Sequence, residues 1–195
     1  AIGVEVLRGD ISDAHAVSAA CQGAEVVFHV AALAGVNVHY QPFRDINVVG
    51  TQNLLKACRK QKVGRLVYTS SPSATFAGKE QCGVNEDEAG MNIKWLEKHR
   101  CHYSMSKAIA EGLVLAENDG NFSTCALRPH LIWGPRDQHL IPRLIARAKS
   151  GRLRRVGDGT NMVDMIYVEN AAEAHLQAAD ALAQENSPVA GKAYF

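Results

Sequence analysis

The order of apolar segments along this chain predicts an α/β fold, a doubly wound parallel sheet with helices on both faces. Three observations carry that expectation. Short β-branched runs at 24–31, 65–70 and 123–128 alternate with longer amphipathic stretches at helical spacing. Within those runs consecutive residues are apolar, the composition of strands buried on both faces. The chain's 195 residues, 47% of them hydrophobic, suffice for one domain with a sizeable core.

The elements follow in order. Residues 4–7 alternate as a strand, and Ser12-Asp13 can cap a helix that runs to about residue 20, closed by Gly23. The run 24–31 reads as a buried strand. A long helix follows over 42–62, where positions 47, 50, 51, 54 and 58 share one face, and Gly64 ends it. Residues 65–70 form the next strand. The stretch 72–102 is long, polar and punctuated by Gly, with one helical patch near Trp95; loops of this length are usually functional or mobile. A helix over 103–118 has Met105, Ala108, Ile109, Gly112, Leu113 and Ala116 as its expected core stripe. The strand 123–128 stops at Pro129. Beyond it lie a helix (140–149), a short strand (152–156), an extended run (162–168) and a last helix (170–183).

Bulk properties narrow the function. With 21 basic and 20 acidic residues, the net charge of +1 favours neither nucleic acid nor an anionic membrane as partner. The longest apolar runs are too short for a transmembrane span or a signal peptide. Five cysteines without paired spacing argue against a disulfide framework, so a reduced, cytoplasmic compartment is expected. The eight histidines make no H-x-x-x-H or Cys/His cluster, and no metal site is expected. The chain starts at Ala-Ile-Gly without Met and stops in an apolar run at Phe195, which reads as an internal segment of a longer protein.

Chemistry concentrates at Tyr103 and Lys107. Four residues apart on a helix, they project from one face about 6 Å apart along the axis. An adjacent ammonium lowers the pKa of a phenol, which then exchanges protons nearer neutrality. A hydroxyl from the strand end Thr69-Ser70-Ser71 would complete a group able to polarise a carbonyl. Ser71 is the first choice for that hydroxyl; Ser73 is the lesser candidate, because Gly78 lies five residues after it. Glu111 and Lys107 read as an ordinary surface pair, and the Cys and His residues, His29 included, as packing groups.

In order and spacing these motifs resemble the extended short-chain dehydrogenase/reductases, over nearly the whole chain. The finer match, through Tyr68 to Ser73, Arg128-Pro129-His130 and Trp133 to Asp137, is similar to the 3β-hydroxysteroid dehydrogenase-like group. The resemblance implies a Rossmann-like sheet, incomplete at its N-terminus, with a dinucleotide-binding part over 1–135. Residues 136–195 would belong to a small substrate region interleaved with the last core elements. It also implies NAD or NADP as cofactor and hydride transfer catalysed by Ser71, Tyr103 and Lys107. Asp10 and Ile11 would end the third strand of that fold, Asp10 meeting the adenine amine or else capping the next helix. Ala31 and Ala32 would let the cofactor lie on the backbone. Asn47, in Asn-x-x-Gly-Thr, would act on the cofactor or bond to neighbouring backbone. Pro129 and Ile132 would flank the nicotinamide, Tyr103 and Lys107 would also touch the cofactor, and Lys107 would hold the ribose.

The implied substrate is an apolar alcohol or ketone, either a 3β-hydroxysteroid or a 2-alkyl-3-oxoalkanoate, and the implied assembly a homodimer. A nucleotide-sugar epimerase or dehydratase and a non-catalytic scaffold are the alternatives. Against the first, Val163-Asp164 stands where such enzymes carry an Arg for the substrate diphosphate. The family's opening Gly-x-x-Gly-x-x-Gly turn, which receives the cofactor pyrophosphate, does not occur in these residues.

Overall fold

Four parallel strands form the main sheet in the order β1-β2-β3-β6: β1 Val26–His29, β2 Arg65–Thr69, β3 Ser123–Leu127 and β6 Ala193–Tyr194. The structure is a computed structural model and describes residues 3–35, 39–137 and 140–195. Side-chain alternation along the strands shows why the sheet is covered twice. Leu66 and Tyr68 of β2 enter one core with Val17, Leu54, Ala110 and Val114, whereas Val67 enters another with Cys125, Ala179 and Leu182. The first face carries α1 (Ala14–Ala20), α3 (Gly50–Gln61) and α5 (His102–Ala116); the second carries α7 (Val168–Leu182). That is the doubly wound parallel arrangement expected. A separate parallel pair, β4 (Ile132–Trp133) and β5 (Ile166–Tyr167), lies beyond the sheet.

Local chemistry explains the boundaries. Asp13 caps α1 by accepting from the amides of His15 and Ala16. The long helix is continuous from residue 41: α2 (Gln41–Phe43), with Pro42 in its first turn, runs through a π-helical stretch (Arg44–Val49) into α3. Its expected face is buried at Asn47, Gly50, Thr51, Leu54 and Cys58. Gly50 is needed there because a Cβ would lie 2.6 Å from Cγ2 of Ile11. The polar stretch after β2 contains a 3₁₀ turn (Pro72–Thr75) and α4 (Ile93–Lys98).

Several expectations fail for physical reasons. Residues 4–7 form no strand, and Val4, Val6 and Leu7 are exposed, because no described residue offers them a ladder partner. Residues 152–156 are likewise irregular and exposed, and only Ile166–Tyr167 of the extended 162–168 run is paired. In α5 the buried stripe is rotated: Gly112 and Ala116 are exposed, while Lys107, Glu111 and Val114 are buried. Glu111 and Lys107 are therefore no surface pair. The Glu111 carboxylate takes both Nε (3.1 Å) and Nη2 (2.6 Å) of Arg128, a fully interior ion pair. Of the cysteines, Cys21, Cys58 and Cys125 do pack inside, but Cys82 is exposed and Cys101 half-buried.

Candidate active site

The site is assembled where β2 ends against the start of α5. Pro72 restricts the residue before it, and Ser71 is accordingly extended (φ −158°, ψ 143°). Its side chain then caps the 3₁₀ turn, accepting from the Ser73 amide at 3.3 Å, and its Oγ lies 2.9 Å from Oγ of Ser73. From the other side Tyr103, in the first turn of α5, brings its phenol beside the Ser71 hydroxyl. Phe43 meets the Tyr103 ring edge-on, 6.3 Å between centroids. Burial pushes the Tyr103 pKa up, and the neighbouring Ser71 hydroxyl pulls it back.

Lys107 lies one turn further along and is almost wholly buried. Its Nζ donates to the Thr69 carbonyl at 2.5 Å and stands 4.3 Å from the Tyr68 ring centroid. Burial lowers its pKa to about 8, with the Glu111 carboxylate opposing the fall. The expected depression of the phenol pKa by this ammonium is not what the geometry delivers. The Lys107 charge is turned to the strand end, and the lowering influence on Tyr103 comes from Ser71.

Asn47 ties the two halves together. Its side chain accepts from the Leu33 amide (2.7 Å) and donates to the Leu33 carbonyl (3.0 Å) and to Ser106 Oγ (2.9 Å). Ser106 in turn donates to the carbonyl of Tyr103 at 2.7 Å. The segment after β1 and the first turn of α5 are thereby locked to one side chain. His29, behind it, contacts Oγ1 of Thr51 at 2.8 Å; since Thr51 donates its own proton to the Asn47 carbonyl, His29 must be the donor. Burial, aided by the Lys107 charge, holds the His29 pKa down at about 3, so the ring is neutral.

The remaining positions are placed as follows. Ala31 and Ala32 are exposed just beyond β1. The Asp10 carboxylate accepts from the amide (2.8 Å) and hydroxyl (2.7 Å) of Ser12, bonds that lower its pKa, and it is Asp13 that caps the helix. Ile11 packs against Gly50 of the long helix. Pro129 lines a cavity of about 360 Å³ with Pro72, His130, Met165 and Ile166, while Ile132 is exposed on β4. His130 bonds through Nδ1 to the Asp164 carbonyl at 2.5 Å. Among the described residues, three buried polar atoms lack a partner: Ser70 Oγ, His102 Nδ1 and Arg128 Nη1. At the sheet edge the exposed pair Ala31-Ala32 forms a small-residue platform. No group of three or more His, Cys, Asp or Glu side chains able to hold a metal occurs among the described residues.

Sequence reasoning missed Ser106 and the Glu111–Arg128 pair. It also missed Thr69, whose Oγ1 meets Nε2 of His175 at 2.7 Å across the sheet. Ser106 could have been found from its place one turn after Tyr103; Arg128, distant in sequence from Glu111, gave no such signal.

Comparison with known proteins decides the family. The sequence profile of the 3-beta hydroxysteroid dehydrogenase/isomerase family matches residues 1–195. The chain belongs to that family. Within it, a 2-alkyl-3-oxoalkanoate reductase of Stenotrophomonas maltophilia is 49% identical over 195 residues, all of this chain and 58% of the relative. An Arabidopsis thaliana 3beta-hydroxysteroid-dehydrogenase/decarboxylase, isoform 2, is 42% identical over 98% of this chain and 34% of its own length. Among solved structures, MoeE5 in complex with UDP-glucuronic acid and NAD is 30% identical with a TM-score of 0.74, covering 95% of this chain and 60% of that one. This member of the family therefore spans about half the length of the curated relatives it matches. No helix among its described residues is long and apolar enough to cross a membrane.

Proposed function

We propose that this protein is an NAD(P)-dependent oxidoreductase acting on a CH–OH/C=O pair, with a 2-alkyl-3-oxoalkanoate or a 3β-hydroxysterol as substrate. The convergence of the Ser71 hydroxyl and the Tyr103 phenol, with Lys107 one turn away, carries the reading. The cofactor, when bound, supplies or accepts the hydride. Residues Ala31 and Ala32 would seat it, Pro129 and Ile132 would flank its reactive ring, and Asp10 would meet its adenine end.

In the reducing direction the substrate oxygen gains charge as its carbon is reduced. Tyr103 gives its phenolic proton to that oxygen, breaking Oη–H as the new O–H forms, and Ser71 donates a hydrogen bond to the same atom. Lys107 is anchored by the Thr69 carbonyl with its ammonium largely protonated at neutral pH, and it would hold the cofactor's ribose hydroxyls. The 49% identity to a 2-alkyl-3-oxoalkanoate reductase favours the acyl substrate over the sterol.

Replacing Tyr103 by Phe in the full-length protein should lower kcat by about 10²- to 10⁴-fold, the usual contribution of a positioned general acid. Cofactor affinity should stay within a few-fold. Wild-type turnover in that variant would remove Tyr103 from the chemistry. The likeness to MoeE5 supports a second reading, a nucleotide-sugar enzyme. A panel of a UDP-sugar, a hydroxysteroid and a 3-oxoalkanoate separates the two.

A further inference from the structure

The Ser71 hydroxyl has more neighbours than a lone side chain at a strand end would meet. It lies beside the Tyr103 phenol and meets the Ser73 amide at 3.3 Å and the Ser73 hydroxyl at 2.9 Å. A hydroxyl has one proton to donate and two lone pairs to accept with. The Ser73 amide can only donate, so it occupies one lone pair. Two arrangements remain for the hydroxyl pair: Ser71 donates to Ser73, or Ser71 accepts from Ser73 and keeps its proton for another partner.

The substrate separates them. A keto oxygen can only accept, so when it takes the single proton of Ser71 the Ser73 hydroxyl, 2.9 Å away, must be the donor to Ser71. Ser73 then supplies two hydrogen bonds, N–H and O–H, to one oxygen. Donors feeding a hydroxyl oxygen polarise its remaining O–H bond, so the chain from Ser73 through Ser71 to the substrate oxygen strengthens along its length.

We propose that Ser73 is a positioning residue: it fills both acceptor lone pairs of Ser71 and leaves that hydroxyl's single proton aimed at the reacting oxygen. The inference rests on the proposed oxidoreductase reading and adds a residue that does not itself touch substrate. The local backbone makes the arrangement possible. Pro72 holds Ser71 extended, and the 3₁₀ turn of residues 72–75 folds Ser73 back over it, with the Ala74 amide bonded to the Ser71 carbonyl at 3.0 Å. Ser73 is half-buried, so solvent competes poorly for its hydroxyl.

The test uses the full-length protein with NADH or NADPH and a 2-alkyl-3-oxoalkanoate, comparing Ser73→Ala, Ser73→Thr, Ser71→Ala and Tyr103→Phe. Ser73→Ala keeps the amide bond but frees one lone pair, so kcat should fall about five- to twenty-fold with KM changed less than two-fold. The ionisation governing kcat/KM, which reports the enzyme before substrate takes the Ser71 proton, should move to higher pH, because the phenolate loses part of its donor's strength. Ser73→Thr restores a hydroxyl at the same place and should recover most of kcat and the original pH profile. A merely structural role would lower the yield of folded protein or the thermal midpoint without moving the pH profile.

Two results would overturn the proposal. One is a Ser73→Ala enzyme with unchanged kcat and pH dependence. The other is a Ser73→Ala loss as large as that of Tyr103→Phe while Ser71→Ala stays active, which would make Ser73 the substrate-facing hydroxyl. If Ser71→Ala and Tyr103→Phe both retain turnover, the oxidoreductase chemistry itself is misassigned. If those two fail and Ser73→Ala behaves as wild type, only the role of Ser73 is lost.

Discussion

Lys107→Met should make the protein more stable at neutral pH while removing its activity. The magnitude follows from the burial of Nζ. Moving the ammonium inside lowers its pKa from 10.5 to about 8. At about 1.4 kcal/mol per pKa unit, that amounts to a cost of about 3 kcal/mol for keeping the charged form at pH 7. Met fills a similar volume without a charge, but leaves the Thr69 carbonyl without the Lys107 donor, a loss of about 1–2 kcal/mol. The balance is a gain of about 1–2 kcal/mol, or roughly 2–8 °C in Tm for a chain of this size.

The pH dependence supplies the sharper check. The folded state prefers neutral lysine, so between pH 8 and 10.5 the unfolded chain holds more protons and wild-type stability climbs as pH rises. Below pH 8 both states are protonated and the full penalty stands. The advantage of Lys107→Met should therefore be greatest near pH 6–7 and shrink towards pH 10.5. Urea denaturation followed by circular dichroism at pH 7 and 9.5 measures it. A variant less stable than wild type at pH 7 by 1 kcal/mol or more, or a difference independent of pH, would refute the reasoning.

Other perturbations have equally definite signs. His29 is neutral when folded and binds a proton near pH 6.5 when unfolded. Its contribution is whole above pH 6.5 and drains away as pH falls through about 3, by about 5 kcal/mol in all; a His29→Gln variant should show a flatter acid limb in equilibrium unfolding. Glu111→Gln strands the buried Arg128 guanidinium and should cost about 3–5 kcal/mol. Removing both charges together, as Glu111→Leu with Arg128→Met, should cost far less, which a double-mutant cycle reads directly. Gly50→Ala drives a Cβ to 2.6 Å from Ile11 and should lower stability by about 1–3 kcal/mol, visible as a reduced urea midpoint.

What could be read from the residues was whatever depended on near neighbours. Asp13 announces the start of α1 because its carboxylate reaches amides two and three positions on. The faces of α3 and the alternation of Leu66, Val67 and Tyr68 follow from helical and strand periods alone. Tyr103 and Lys107 were visible through their spacing, and Ser71 through its place at a strand end. Long-range pairing was not visible. The segment 4–7 has a strand's composition and no partner among the described residues, and composition cannot report a missing ladder. The rotation of α5 hides in the same way: Glu111 looks like a surface residue until Arg128, from β3's end, neutralises it inside. Lys107 then lies on the buried side, where it serves the Thr69 carbonyl and not the phenol beside it.

The account stands on Ser71 and Tyr103 meeting a single substrate oxygen. A crystal structure of the full-length protein with oxidised cofactor and a 3-oxoalkanoate measures this most directly. It should place the keto oxygen within hydrogen-bond reach, about 2.6–3.2 Å, of both Tyr103 Oη and Ser71 Oγ. A keto oxygen bound beyond contact with either hydroxyl, facing other side chains, would contradict it.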